Sequence, residues 1–273
     1  MLRTRIITAL VLAACLFAAV LSLQTLHWAW IVAGVAGLGG WEFGRLAGWG
    51  KASPALGVWV FVLTAGVIVL HPATAGLAEF GASPLVLPML GAAAAFWIVL
   101  VPLWLKHRWP IGPLAGLVVG TIVLVPTWLA IVQLHRLHPW LLIAAMAFVS
   151  FADIAAYFSG RRFGRRKLAP EISPGKTWEG VFGAFAATTV FGLGVAFAIG
   201  WADSALRLLS LIVLMPALTL ISVAGDLFES MLKRRAGMKD SSQLLPGHGG
   251  ILDRIDSLTA ALPVAALALL LIP

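Results

Sequence analysis

Apolar residues along this chain come in long unbroken blocks, not in the narrow stripe of a soluble amphipathic helix. A hydrocarbon core about 30 Å thick takes roughly 20 apolar residues per helix. Blocks of that size cover residues 5–23, 27–46, 54–71, 83–105, 112–134, 139–160, 178–200, 205–226 and 251–272. The pattern predicts an all-α, polytopic transmembrane protein of about nine spanning helices, in one integral membrane domain over residues 1–273. Two blocks are less plain than the rest, because 27–46 contains Glu42 and 205–226 ends in Asp226. The first block follows Arg3 and Arg5, as in a secretory signal. Its apolar run from Ile6 to Leu23, the lack of a small-residue exit and the spans behind it predict a retained helix instead.

Composition narrows the class. The 273 residues are 61% hydrophobic and 11% charged, where soluble chains carry about 25% charged residues. A soluble domain is excluded on that ground. The single cysteine, Cys15, lies in the first block, so no internal disulfide forms and a small packing role is expected. No repeat, low-complexity tail or nucleic-acid module is visible, and the formal charge of +8 is expected to reflect topology.

The charges sort by side. With nine spans, one set of loops holds Arg3, Arg5, Arg45, Lys51, Lys106, Arg108, Arg161, Arg162, Arg165, Arg166, Lys167, Lys176, Lys233, Arg234, Arg235, Lys239 and Arg254, which is 17 of the 19 basic residues. Arg136 and Arg207 fall in the other set. Basic residues accumulate in cytoplasmic loops, so the N-terminus is expected inside and the C-terminus outside. The longest polar loops, 161–177 and 227–250, are also the most basic, and would attract anionic headgroups and nucleotide phosphates.

Polar residues in or beside spans are expensive and read as functional by default. Asp153 and Tyr157 share a helix face in the sixth block, either lining a cavity or forming a structural pair. Ser222, Asp226 and Ser230 recur at i, i+4 and i+8, with Glu229 close by. They suggest a hard-cation site, against the alternative of a helix end tied by its own hydrogen bonds. Pro246, Gly247, Gly249 and Gly250 make a turn with free N–H groups suited to phosphate. Asp253 and Asp256 follow in a first helical turn, where the dipole alone also favours carboxylates. Residues 173–180 contain Pro-Gly-Lys-Thr, but position 170 is proline and no strand is expected before it, so a P-loop is rejected. Lys176 and Thr177 could still hold phosphate. Carboxylates and cations together, without a His/Cys cluster for zinc, suit phosphoryl or nucleotidyl transfer.

Ser230-x-x-Lys233-Arg234, four residues, Lys239-Asp240, then Pro246-x-His248-Gly249-Gly250-x-x-Asp253-Arg254-x-Asp256 resembles the signature of phosphatidate cytidylyltransferases, also called CDP-diacylglycerol synthases. The segments Ser173-Pro174-x-Lys176-Thr177-x-Glu179-Gly180 and Asp153-x-x-Ala156-Tyr157 resemble the same family. The resemblance implies transfer of CMP from CTP to phosphatidate, giving CDP-diacylglycerol and pyrophosphate. It implies Mg²⁺, with K⁺ or another monovalent cation as a second ion, and metal-holding carboxylates at Asp226 and Asp253. It implies a homodimer, a bacterial inner-membrane location, a scaffold with dimer contacts in 1–135 and the catalytic site in 139–273.

On this reading Asp226, Asp253, Lys176 and Arg254 are the catalytic candidates, and Asp256 is a weaker metal ligand or an orienting group. Ser173, Lys176, Thr177, Ser230, Lys233, Arg234, Lys239, His248, Gly249, Gly250, Arg254, Asp153 and Tyr157 are the expected substrate-binding set. The alternatives are another CTP-dependent lipid enzyme, such as a polyprenol kinase or an archaeal-lipid cytidylyltransferase, or an ion or solute transporter.

Overall fold

A computed structural model describes residues 2–71 and 83–271. Met1, residues 72–82, 272 and 273, and the side chains of residues 2–6, lie outside the described residues. The end of the ninth predicted block and the charged groups of Arg3 and Arg5 therefore lie outside them too.

Each predicted block forms a helical rod. The first three are α1 (Leu2–Ser22), α2 (Thr25–Leu46) and α3 (Ser53–Leu70). The fourth is a single rod in three pieces: α4 (Val86–Ala95), a π-helical turn over Phe96–Leu100, and α5 (Val101–His107). Pro102 accounts for the widened turn. It has no N–H to donate to the carbonyl of residue 98, and its ring crowds that carbonyl. Then come α6 (Pro113–Leu137), α7 (Pro139–Phe163), α8 (Trp178–Ala198), α9 (Ala205–Arg235) and α10 (Leu252–Leu271).

Among the described residues, seven rods are long and apolar enough to cross a membrane, and the chain is an integral membrane protein. The other two are α1 and α2. The described apolar stretch of α1 is only Ile7–Ser22. α2 has the length but is diluted by tryptophan, glycine, His27 and Glu42.

Two features differ from the sequence-based expectation. The eighth block does not stop at Asp226, because α9 runs on to Arg235. At 1.5 Å per residue its 31 residues span about 46 Å, so more than two turns project beyond a 30 Å hydrocarbon core. Buried Phe228, Met231 and Leu232 and the Glu229–Lys233 ion pair at i,i+4 carry the helix on. The second feature is a short antiparallel hairpin, β1 (Lys167–Ala169) with β2 (Ser173–Thr177), which pairs Lys167 with Thr177 and Ala169 with Ser173. A strand thus does precede Lys176, contrary to expectation. It belongs to a two-stranded ribbon and not to the parallel sheet a P-loop requires.

Close helix contacts use small residues, as membrane interfaces favour. A Cβ on Gly57 of α3 would stand 2.6 Å from the Gly37 carbonyl of α2. One on Gly225 of α9 would stand 2.8 Å from both the Ala260 Cβ and the Asp256 carbonyl of α10. That second contact sets Asp226 and Asp256 into one interface. The enclosed rod at the centre is α6, with Trp128, Leu129, Ala130 and Leu134 buried. Its Trp128 Nε1 donates to the Ala29 carbonyl at 3.0 Å.

Candidate active site

Polar groups from α2, Arg108 just after α5, the hairpin, α9, the 236–251 loop and α10 gather at one end of the bundle. Thr177 positions the first of them. Its hydroxyl accepts from the Gly180 N–H at 3.2 Å and so caps α8. The side chain is buried, so Thr177 serves the helix start and does not face a ligand space. The residue before it, Lys176, leaves β2 toward α9, where its ammonium lies 2.7 Å from Asp226 Oδ2. Asp226 Oδ1 accepts from the Ser230 hydroxyl at 3.1 Å, one turn further along. Asp153 is exposed on α7, within electrostatic reach of both Asp226 and Lys176.

A second ion pair stands beside the first. Lys233 Nζ lies 2.7 Å from Asp253 Oδ1 and 3.2 Å from Glu229 Oε2. Asp253 Oδ2 accepts three hydrogen bonds, from the Ser241 N–H at 2.9 Å, the Ser241 hydroxyl at 2.9 Å and the Gly250 N–H at 2.8 Å. Gly249 makes this possible. Its φ of +82° suits glycine, and a Cβ there would sit 2.7 Å from Asp253 Oδ2. Asp256 Oδ1 accepts the Ser257 N–H at 2.7 Å, and its carboxylate interacts with Asp226 and Glu229.

The loop that carries these groups is held from α2. Glu42 is fully buried. Its Oε1 accepts from the Ser242 hydroxyl at 2.5 Å and the Ile251 N–H at 3.0 Å, and its Oε2 from the Ser241 hydroxyl at 3.2 Å and the Leu252 N–H at 2.7 Å. A carboxylate thereby caps the N-terminus of α10, where it complements the helix dipole. Ser241 has one hydroxyl proton between Glu42 and Asp253, so it links the cap to the site. Arg45, one turn along α2, donates to the Ser241 carbonyl at 2.7 Å.

The hairpin is tied down at its tip. Arg108 pairs with Glu171, and Arg235 donates to the Arg108 carbonyl. The Arg108 guanidinium holds the Glu171 carboxyl below the usual carboxylate range.

Other expected site residues lie further from these pairs. Arg234, Lys239 and Arg254 are exposed. His248 is half-buried in the 245–249 turn, with Nδ1 3.4 Å from the Pro246 carbonyl. Ser173 and Gly250 lie in β2 and at the start of α10, and Gly250 packs directly on Glu42 and Ser241. Tyr157 is exposed and accepts from Arg161 at 3.1 Å, so it points along its own helix. Glu42, Ser241 and Ser242 were not among the expected site residues, and Glu229, noted only as a neighbour of Asp226, shares Lys233 with Asp253. The available signals were an acid inside a predicted span and an i,i+4 Glu–Lys pair.

Among the described residues, no group of three or more His, Cys, Asp or Glu stands ready to hold a metal. Asp226 and Asp253, the expected ligands, each face an ammonium instead. Yet Ser222 Oγ, Glu229 Oε1 and Ser257 Oγ are buried oxygens without a hydrogen-bond partner, all in the α9–α10 interface. An oxygen-rich interface with unused acceptors fits a hard cation that takes few protein ligands and completes its shell with water and phosphate.

Residues 3–272 match the cytidylyltransferase family. A phosphatidate cytidylyltransferase of Pseudomonas aeruginosa is 42% identical over 272 residues, covering 97% of this chain and 96% of that protein. The Haemophilus influenzae protein of the same name is 37% identical over 281 residues, with 96% of each chain covered. One from Brucella suis is 50% identical over 119 residues, 42% of this chain and 41% of its own.

Proposed function

Because the chain belongs to the cytidylyltransferase family, we infer that it is a membrane nucleotidyltransferase that makes CDP-diacylglycerol from CTP and phosphatidate. The observation that carries this reading is the pair of adjoining lysine–aspartate bridges, Lys176–Asp226 and Lys233–Asp253. They lie beside a glycine turn at one end of a membrane bundle. A transporter has no need of such a cationic turn, and the similarity extends over nearly the whole length of named relatives.

The chemistry asks little of a general base. A phosphate oxygen of phosphatidate, ionised at neutral pH, attacks the α-phosphorus of CTP. A new P–O–P link forms while the α–β bridging P–O bond breaks, and its electron pair leaves on pyrophosphate. Catalysis is then positioning and charge neutralisation. Lys176 and Lys233 bridge to carboxylates and can turn to phosphate when it arrives. Arg234, Lys239, Arg254 and the 246–250 turn supply further cations and N–H groups. Once Lys176 and Lys233 turn to phosphate, Asp226 and Asp253 would hold Mg²⁺, Asp253 through the Oδ1 that Lys233 releases because its Oδ2 stays engaged, with Asp256 and Glu229 beside them. Bound there, Mg²⁺ would gather the triphosphate and offset charge on the departing pyrophosphate. A monovalent cation as second ion, a homodimer and an inner-membrane location belong to the same reading.

The end of the bundle that carries the site is proposed to face the cytoplasm, where CTP is. The basic residues Arg45, Arg108, Lys176, Lys233 and Arg235 all meet there. A reporter fused after Pro273 is then expected outside. Purified protein given Mg²⁺, labelled CTP and phosphatidate should release pyrophosphate and label the lipid, and if neither product forms the assignment fails.

A further inference from the structure

Five basic residues stand within seven positions where α7 ends, Arg161, Arg162, Arg165, Arg166 and Lys167, and the transfer site uses none of them. All five are exposed. The positive-inside tendency accounts for their sign, and the helix dipole favours Arg161 and Arg162. Neither accounts for how they are arranged.

The chain turns at Gly164, where a Cβ would strike the Gly160 carbonyl and the Thr177 side chain. Residues 165–167 are thereby drawn against the start of α8. Glu179 is the carboxylate of this region, and both its oxygens accept backbone N–H groups, those of Arg165 and Arg166, at 3.0–3.2 Å. It orders the loop but forms no ion pair with a guanidinium. Arg161 is engaged with Tyr157 and Lys167 with the Pro174 carbonyl. Among the described residues, the guanidiniums of Arg162 and Arg165 have no hydrogen-bond or ion-pair partner. They open on a cavity of about 420 Å³ lined by Arg162, Phe163, Gly164, Arg165 and Glu179.

The apolar surroundings complete the picture. Phe163 is exposed and lines the cavity, Trp178 and Phe182 are exposed in the first turns of α8 on either side of Glu179 in sequence, and the Arg162 guanidinium lies 6.0 Å from the Phe163 ring centre. Aromatic side chains bordering cations are typical of the headgroup level of a bilayer. Paired arginines offer planar forks that match phosphate oxygens.

We propose that this cavity is a second lipid site. Arg162 and Arg165 hold the phosphomonoester headgroup of a lipid, phosphatidate, while its chains lie along Phe163, Trp178 and Phe182. A phosphomonoester carries close to two negative charges at neutral pH. It suits a cavity where Arg162 and Arg165 have no ion-pair partner among the described residues, and the exposed Arg166 faces the Glu179 carboxylate, better than a phosphodiester does. The Trp178 N–H donates to the Arg166 carbonyl at 3.0 Å, so the site adjoins the hairpin that presents Lys176. The lipid's identity rests on the transfer reaction assigned above, but binding does not require turnover.

The test is native mass spectrometry of the detergent-purified chain without CTP or Mg²⁺. Phosphatidate, phosphatidylglycerol and phosphatidylcholine of identical acyl chains are compared. The wild type should retain phosphatidate at least about fivefold better than the other two. Arg162→Gln/Arg165→Gln should lower that retention about tenfold, the scale of one lost charge-assisted hydrogen bond. Arg162→Lys/Arg165→Lys keeps charge without the fork and should fall between; it also serves if the glutamine variant fails to fold. Lys51→Gln/Lys106→Gln removes two other exposed cations and should stay within twofold of wild type. Unchanged retention in the arginine variants overturns the site. So does an equal loss in the lysine control, which would mean surface charge alone, or equal arginine-dependent retention of phosphatidylglycerol. Arginine-dependent phosphatidate binding in a protein that forms no CDP-diacylglycerol would uphold the site and remove the reaction assignment.

Discussion

Replacing Glu42 with glutamine preserves volume and shape and removes one charge from a fully buried position. The carboxylate faces four donors, the Ser242 hydroxyl, the Ser241 hydroxyl that it shares with Asp253, and the Ile251 and Leu252 N–H groups. An amide has one accepting oxygen and one donating nitrogen. With the nitrogen at the Oε2 position, it meets the Leu252 N–H donor-to-donor. Flipped, it meets the Ile251 N–H. A hydroxyl can rotate to accept, but a backbone N–H cannot, so either orientation orphans one buried donor. That costs about 1–3 kcal/mol, and the lost interaction with the α10 dipole adds roughly 0.3–2 kcal/mol. A total of about 1–5 kcal/mol corresponds to a drop on the order of 3–20 °C in melting temperature. The loop also loses its hold on Ser241, and hence on Asp253, so kcat should fall more than the KM for CTP rises. Melting followed by size-exclusion chromatography in detergent, with steady-state kinetics below the melting range, measures both. A Glu42→Gln protein with wild-type melting and kcat would refute the capping argument.

Other substitutions separate packing from chemistry. Gly225→Ala places a methyl group 2.8 Å from Ala260 Cβ and the Asp256 carbonyl. Overpacking of about 1–3 kcal/mol should spread α9 from α10, with activity lost well below the melting point. Lys233→Met strands Asp253 and Glu229 without their shared cation. Breaking one partner of a buried pair costs about 3–5 kcal/mol, so both melting temperature and turnover should fall. Asp226→Asn should abolish turnover in a protein that melts near wild type, because Asp226 is half-buried and its lysine can reach solvent. Asp253→Asn should abolish turnover and also lower melting, because Asp253 Oδ2 holds three donors. Near-normal activity in either asparagine variant would remove that residue from the transfer site.

The rods were legible in the sequence because a bilayer demands long apolar runs, and those runs need no tertiary partner to be recognised. The true length of α9 was not legible. Beyond Asp226 its stability comes from Phe228, Met231 and Leu232 packing on other helices, and hydropathy does not register that. The hairpin was missed for a similar reason. Five residues of Ser-Pro-Gly-Lys-Thr carry no strand periodicity, and β1 pairing together with the tip contact to Arg108 holds them in place.

The family signature in Ser230–Asp256 was visible by spacing alone, and with it the reaction class. Which atoms meet was decided only in three dimensions. Lys176 reaches Asp226 across 50 positions and Glu42 reaches Leu252 across 210, separations over which no helical period carries information. Sequence by itself predicted that acids and cations gather at one end of a set of membrane-spanning helices. Only the tertiary structure decided that Glu42, an acid inside an apolar helix, caps α10 and holds the loop that bears Asp253. The physical reason is that a buried carboxylate persists only where several donors converge on it, and these donors come from a segment some two hundred residues away.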